Sequence, residues 1–165
     1  MPMSDYLQQL RDKVGHELLL LPSAAVAVFD DQKRVLLARH SDRNIWVLPG
    51  GLIEPGEVPA DAAVREVWEE TGLLVELTGI FGVYGGSDLL VNYANGDVAI
   101  YVAIIFTGKI IGGKPQPDGT EILELRYFAQ DEISTVPHSK WMDAALSTLF
   151  CPTGMTQFQP STWRP

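Results

Sequence analysis

Residues 59 to 72 constrain this chain more than any other stretch, because they pair strong helix punctuation with an unusual load of negative charge. Pro59 stands where a helix can begin, since proline fixes φ and needs no amide partner in the first turn. Gly72 stands where one can stop, since glycine tolerates a left-handed conformation. The punctuation predicts a helix from about Val58 or Pro59 to Thr71. Ala63 and Val67 lie along one of its faces and can meet a core. Glu66, Glu69 and Glu70, at i, i+3 and i+4, bring three carboxylates to another. Like charges at that spacing cost an isolated helix roughly 0.2–0.5 kcal/mol per pair, and Arg65, four residues before Glu69, offsets only part of it. A cation is the natural partner. Oxygen ligands with no His or Cys beside them suit Mg2+ or Mn2+ and suit zinc poorly.

Taken alone, Glu-x-x-Glu-Glu reads better as a solvated helix face. Its surroundings reverse that reading. Gly50-Gly51 precedes the helix, Glu57 follows a Pro55-Gly56 turn, and Arg65-Glu66-Val67-Trp68-Glu69-Glu70-Thr71-Gly72-Leu73 closes the stretch. Gly51, Glu57, Arg65-Glu66, aliphatic Val67, Glu69-Glu70, Gly72 and aliphatic Leu73 fill every specified position of a long gapped pattern. In this the chain resembles the Nudix hydrolases. The resemblance implies a fold, an α/β/α sandwich around a mixed β-sheet, and a reaction, the Mg2+- or Mn2+-dependent hydrolysis of a diphosphate linkage. The partner it implies is a small nucleoside diphosphate derivative: an ADP-ribose-like compound, a nucleotide sugar, a dinucleoside polyphosphate or a (deoxy)nucleoside triphosphate.

Carried over position by position, the resemblance makes Glu69 and Glu70 metal ligands and Glu66 either a ligand or the base that takes a proton from water. Arg65 would orient these carboxylates, and Glu57 would support the loop or bind metal through water. Gly50 would turn its carbonyl towards the metal. Many members of the family recruit one more acid from a distant loop. Glu121 is the candidate here, with Asp118 and Glu124 behind it; a solvent-facing loop glutamate is the alternative reading of Glu121.

A length of 165 residues with 46% hydrophobic composition suits one domain with a real core, residues 1–150 including a short N-terminal helix, followed by a tail, residues 151–165. The net charge of −9 argues against general nucleic-acid binding, which needs clusters of Lys and Arg. A phosphate-bearing substrate then needs local cations. Cys151, the one cysteine, excludes an internal disulfide and fits a reducing cytoplasm. Pro22 and Ser23 interrupt the apolar run from Leu18 to Phe29, which falls short of the roughly 18 residues of a membrane span. No membrane partner is expected.

Along the chain, Ser4 to Val14 reads as a short amphipathic helix capped at Ser4 or Asp5. Ala24–Phe29 and Val35–Ala38 read as a hairpin of buried strands, and Trp46-Val47-Leu48 as a brief strand leading into the glycines. Leu73–Val83, Val98–Thr107 and Leu123–Phe128 complete a mixed sheet. Ser139 to Phe150 reads as a closing helix. The tail has no period, which leaves it to wrap over the domain, to contact a second copy as a homodimer, or to be disordered. Four residues are candidates for contact with substrate. Arg39 could reach phosphate, or simply end a strand on the surface; Trp46 could wall a pocket, or sit in the core. Tyr84 and Tyr93 belong to a Gly-, Asn- and Asp-rich loop, residues 84–97, of the kind that carries specificity. A non-catalytic nucleotide sensor is the rival class, though such sensors tend to have degraded acidic positions or a fused DNA-binding domain.

Overall fold

The computed structural model describes residues 4–151 and 154–162. In chain order its elements are α1 (Asp5–Val14), β1 (Leu19–Val28), β2 (Val35–His40), β3 (Ile45–Val47), β4 (Gly50–Leu52), α2 (Pro59–Thr71) and β5 (Leu73–Tyr84). After a 3-10 turn at Ser87–Leu89 come β6 (Leu90–Asn92), β7 (Val98–Gly113), β8 (Ile122–Phe128), α3 (Gln130–Ile133), α4 (Trp141–Phe150) and β9 (Gln157–Phe158). Helix α2 has Pro59 in its first turn and ends at Gly72 in the left-handed region, φ 66°. The Ser4 hydroxyl caps α1 by accepting from the Leu7 amide.

The strands form two sheets. The larger is mixed and runs β4-β1-β7-β5-β9, with β6 also paired to β7; the smaller is antiparallel and runs β3-β2-β8. At the centre of the mixed sheet β1 lies parallel to β7 over ten residue pairs, from Leu19↔Ala99 to Val28↔Gly108. The predicted hairpin of β1 with the next strand does not form. Phe29↔Val35 is an isolated bridge, after which β1 and β2 diverge into different sheets. Two strands that are both apolar on both faces can each be buried between layers without pairing to one another.

Period-two alternation builds a core on either side. On β1 and β2, Ala24, Val26, Val28 and Leu36 pack with Ala62, Ala63 and Val67 of α2. Their neighbours Ala27, Val35 and Leu37 pack on the other side with Trp141, Met142, Ala145 and Leu149 of α4. Helices on opposite faces of a central mixed sheet make this an α/β/α sandwich. The described part of the tail adds β9 alongside β5, through Gly82↔Gln157 and Val83↔Phe158. Trp163 lies outside the described residues. Among those described, no helix is long and apolar enough to cross a membrane.

Candidate active site

Strand β4 and helix α2 lie side by side because β4 pairs with β1, and β1 packs on α2. That arrangement brings the two glycines against the helix carboxylates. A Cβ on Gly51 would stand 2.6 Å from both Cδ and Oε1 of Glu66, so the missing side chain is the room that the carboxylate occupies. Gly50 is tight for another reason, since a Cβ there would meet the Ala24 carbonyl and, at 2.5 Å, the Ala25 Cα. The Gly50 amide donates to Glu70 Oε2 at 2.9 Å.

Arg65 organises the other carboxylates. Its Nε donates to Glu57 Oε1 (2.9 Å), its Nη1 to Glu66 Oε1 (2.8 Å) and to Glu69 Oε2 (3.0 Å), and its Nη2 to Glu57 Oε2 (2.9 Å) and the Leu52 carbonyl (3.0 Å). These partners, Glu57 foremost, raise the guanidinium pKa further. Glu57 is held below the usual carboxylate range by the same hydrogen bonds. Of the three carboxylates expected to converge, Glu66 and Glu69 meet at the same Arg65 nitrogen, and the three differ in burial. Glu69 is 35% exposed at its side chain and faces a hollow with Trp68, Lys114 and Asp118, while Glu66 and Glu70 are 7% and 3% exposed. Among the described residues, no three His, Cys, Asp or Glu groups form a ready-made metal cluster.

The donors nonetheless fit a hard cation. Burial pushes the Glu66 carboxyl up, and Glu69 and Glu121 add to the shift while Arg65 opposes it. Burial pushes Glu70 well up, against the Gly50 amide and with help from Glu66, Glu121 and Asp118. Carboxylates with only oxygen to offer suit a hard divalent ion and suit zinc poorly. Glu121 lines the same cleft as Glu66. Burial raises its pKa, but hydrogen bonding, including that of His40 Nε2 at 3.1 Å, leaves it below the ordinary value.

Asp118 and Glu124 are engaged elsewhere. Asp118 accepts from the Thr120, Glu121 and Ile122 amides and from the Thr120 hydroxyl, which makes it the organiser of its own loop. Glu124 pairs with Arg39, Nη2 to Oε2 at 3.1 Å.

A cleft of about 900 Å3 opens from Gly50, Gly51, Arg65, Glu66 and Glu121 and runs towards α1 and the loop after β5. Of the four substrate candidates, only Tyr93 lines it; its hydroxyl lies 2.6 Å from that of Tyr101, also in the lining. The other three are corrected by strand alternation and packing. Ile45 and Val47 face the cleft, so Trp46 between them faces the core, its ring 4.7 Å from that of Phe128. His40 faces the cleft, so Arg39 points away, to Glu124 and Asn44. Tyr84 is buried between Phe81 and Trp141, with ring centroids at 6.1 and 5.1 Å. Sequence reading missed Arg11, His40, Arg43, Tyr101 and Trp141 as lining residues. Alternation along the strands was the one signal that could have found His40 and Tyr101; α1 as a wall of the cleft has no local signature.

Comparison with known proteins bears on this geometry. Residues 19–149 match the family described as NUDIX domain. The chain is 34% identical over 119 residues to a putative 8-oxo-dGTP diphosphatase of Bacillus subtilis (strain 168), covering 71% of this chain and 73% of that one. It is 32% identical over 122 residues to an ADP-ribose pyrophosphatase of Methanocaldococcus jannaschii, covering 72% and 68%. Among solved structures, a NUDIX hydrolase from Nitrosomonas europaea superposes with a TM-score of 0.66 at 24% identity, over 86% of this chain and 98% of that one.

Proposed function

Because the chain belongs to the NUDIX family of hydrolases acting on phosphoric anhydride bonds, we propose that it is a Mg2+- or Mn2+-dependent pyrophosphohydrolase that cleaves the diphosphate of a small nucleoside diphosphate derivative. One observation carries the reading: buried, mutually repelling Glu66 and Glu70 stand beside Glu121 at one end of a cleft large enough for a nucleotide. The relatives named for 8-oxo-dGTP and for ADP-ribose suggest substrates that share a nucleoside on a phosphoric anhydride. A cytoplasmic setting is part of the proposal.

Glu66, Glu70 and Glu121 would hold the cation, with Glu69 reaching in from the rim and the Gly50 backbone closing the site. A bound divalent ion supplies charge neutralisation at the phosphoryl oxygens and a lowered pKa for the attacking water. Glu66 is the carboxylate of α2 that lines the cleft, and it would serve either as a ligand or as the base that takes a proton from water. Arg65 orients Glu66 and Glu69, and Glu57 keeps Arg65 in place through two hydrogen bonds. Neither Arg65 nor Glu57 needs to touch the substrate.

The test is incubation with Mg2+ and a panel of ADP-ribose, 8-oxo-dGTP, a UDP-sugar, a dinucleoside tetraphosphate and the common dNTPs, with products separated by chromatography. At least one should be hydrolysed, and excess chelator should abolish the reaction. Undiminished hydrolysis in chelator refutes the metal assignment, and inertness towards the whole panel refutes the substrate class.

A further inference from the structure

Among the described residues, the buried side-chain nitrogens and oxygens that lack a hydrogen-bond partner are Arg11 Nε, His40 Nδ1 and Arg43 Nε. All three belong to residues that line the one cleft. Buried polar atoms are normally paired, so unpaired nitrogens on three side chains that line a single space point to a ligand rich in acceptors. Two of the three side chains are otherwise engaged. Arg11 has Asp97 Oδ2 3.5 Å from its Nε and donates through its other nitrogens to the carbonyls of Gly15, Glu17 and Val98. His40 meets Glu121 through Nε2.

Arg43 is different. It makes no hydrogen bond and no ion pair among the described residues, not even with its exposed neighbour Asp42. Arg11, Arg34, Arg39, Arg65 and Arg126 each have a carboxylate partner. In a chain with 21 acidic and 12 basic residues, acids to pair with are plentiful, and an arginine kept apart from them is available to another anion.

The turn that carries Arg43 is braced from outside. Asn44 adopts φ 51°, and its Oδ1 accepts from Arg39, which is itself paired to Glu124. The charge of Arg43 also acts on the Tyr101 hydroxyl, whose pKa burial raises and Arg43 opposes. Tyr101 pairs with Leu21 on β1, whereas Gly50 pairs with Ala25, four residues further along the strand, or about 13 Å at ~3.3 Å per residue. Arg43 lines the same cleft as Tyr101, and the influence of its charge on that hydroxyl assigns it to the tyrosine end.

We propose that Arg43 is the residue that anchors a phosphoryl group on the nucleoside side of the substrate, holding the nucleotide half while its anhydride lies over the carboxylates. The inference rests on the hydrolase reading above. Guanidinium suits the role because its planar donors match two phosphate oxygens at once, which an ammonium cannot do.

The experiment measures binding in excess chelator, without turnover, so that it can fail independently of the hydrolysis panel. Wild type, Arg43→Gln and Arg43→Lys are titrated by calorimetry with AMP, GMP and UMP, each against its nucleoside. Arg43→Gln should weaken the best-bound monophosphate at least tenfold, about 1.4 kcal/mol, leave its nucleoside unchanged, and be partly rescued by lysine. Because the side chain has no partner to lose, the melting temperature of Arg43→Gln should equal or exceed that of wild type. Unchanged monophosphate affinity, an equal loss for nucleoside and monophosphate, no measurable binding of any monophosphate to wild type, or a fall in melting temperature overturns the assignment.

Discussion

Alanine at Gly51 and alanine at Gly50 should fail in opposite ways, although the two glycines are adjacent. At Gly51 the added Cβ would stand 2.6 Å from Glu66 Cδ and Oε1 and 2.8 Å from Oε2, all at the end of a flexible side chain. The carboxylate can swing away, and the backbone need not move. What is lost is the 2.8 Å hydrogen bond from Arg65 Nη1, a charged contact worth about 1.5–3 kcal/mol. Alanine also restricts the unfolded chain, which returns about 0.4–1 kcal/mol. The net cost for Gly51→Ala is then about 0.5–2.5 kcal/mol, while a proposed ligand or base displaced by about 1 Å should lower kcat roughly 100-fold. At Gly50 the Cβ would meet backbone, the Ala24 carbonyl and the Ala25 Cα, so the pairing of β4 to β1 must give way. Gly50→Ala should cost 3 kcal/mol or more, beyond the usual ~1–3 kcal/mol of overpacking. Urea denaturation with and without Mg2+, and kcat on the best substrate of the panel, measure both. Wild-type turnover in Gly51→Ala, or wild-type stability in Gly50→Ala, refutes the reasoning.

Glu70→Gln keeps an oxygen for the Gly50 amide and removes a buried charge that Glu66, Glu121 and Asp118 repel, so its stability in chelator should match or exceed wild type while turnover falls by orders of magnitude. Near-normal turnover at saturating Mg2+ would show that Glu70 has the wrong role. Tyr93→Ala should change relative kcat/KM among substrates that share a diphosphate and differ in base, by up to the ~1–3 kcal/mol of an aromatic–base stack; an unchanged ranking places specificity elsewhere. Asp118 is pulled down to about 2, because four loop donors outweigh its desolvation. A depressed carboxylate stabilises above its unfolded value of 3.8 and loses that contribution as pH falls through about 2. Asp118→Asn should therefore flatten the acid limb of the stability profile between pH 4 and 2, by no more than about 1 kcal/mol since Asp118 is exposed. An unchanged acid limb would show that the loop does not depend on that charge.

Local chemistry made part of this protein legible in its sequence. Proline, glycine and spacing fixed the bounds of α2, and apolar runs located β5, β7 and β8, because each signal acts within a few residues. Pairing is a longer-range matter. Ala24–Phe29 and Val35–Ala38 looked like a hairpin, but nothing local decides whether two apolar strands bond to each other or part into separate sheets. Three of the four substrate candidates lie outside the cleft lining, two of them for a sharper reason. Arg39 and Trp46 were chosen for their chemistry on strands whose facing had not been assigned, and each lies one residue from a side chain that does face the cleft: His40 beside Arg39, Ile45 and Val47 beside Trp46. A one-residue error in facing is a complete error on a strand. Glu121 is the acid the family resemblance calls for from a distant loop, just before a predicted strand, and it lines the cleft. Asp118, three residues earlier, had the same charge, yet four donors in its own loop engage it.

The distribution of cations explains how an acidic chain can receive a substrate with several negative charges. Arg65 lies at the mouth of the carboxylate site, but Glu57, Glu66, Glu69 and the Leu52 carbonyl occupy its donors. It can orient ligands and cannot also neutralise phosphate. Arg11 is in the cleft too, but Asp97 balances its charge and three carbonyls take its Nη donors. With those two discounted, the positive charge left for the substrate would come from a divalent ion at Glu66, Glu70 and Glu121 and from Arg43 at the tyrosine end, with Lys140 also in the lining. The first acts where the anhydride would break, and the second where the nucleotide would be held. The β1 partners of Tyr101 and Gly50 lie about 13 Å apart along the strand, and the proposed anchor stands on the β2–β3 turn while the carboxylates stand on α2, so a substitution at Arg43 should change nucleotide recognition without displacing the carboxylates.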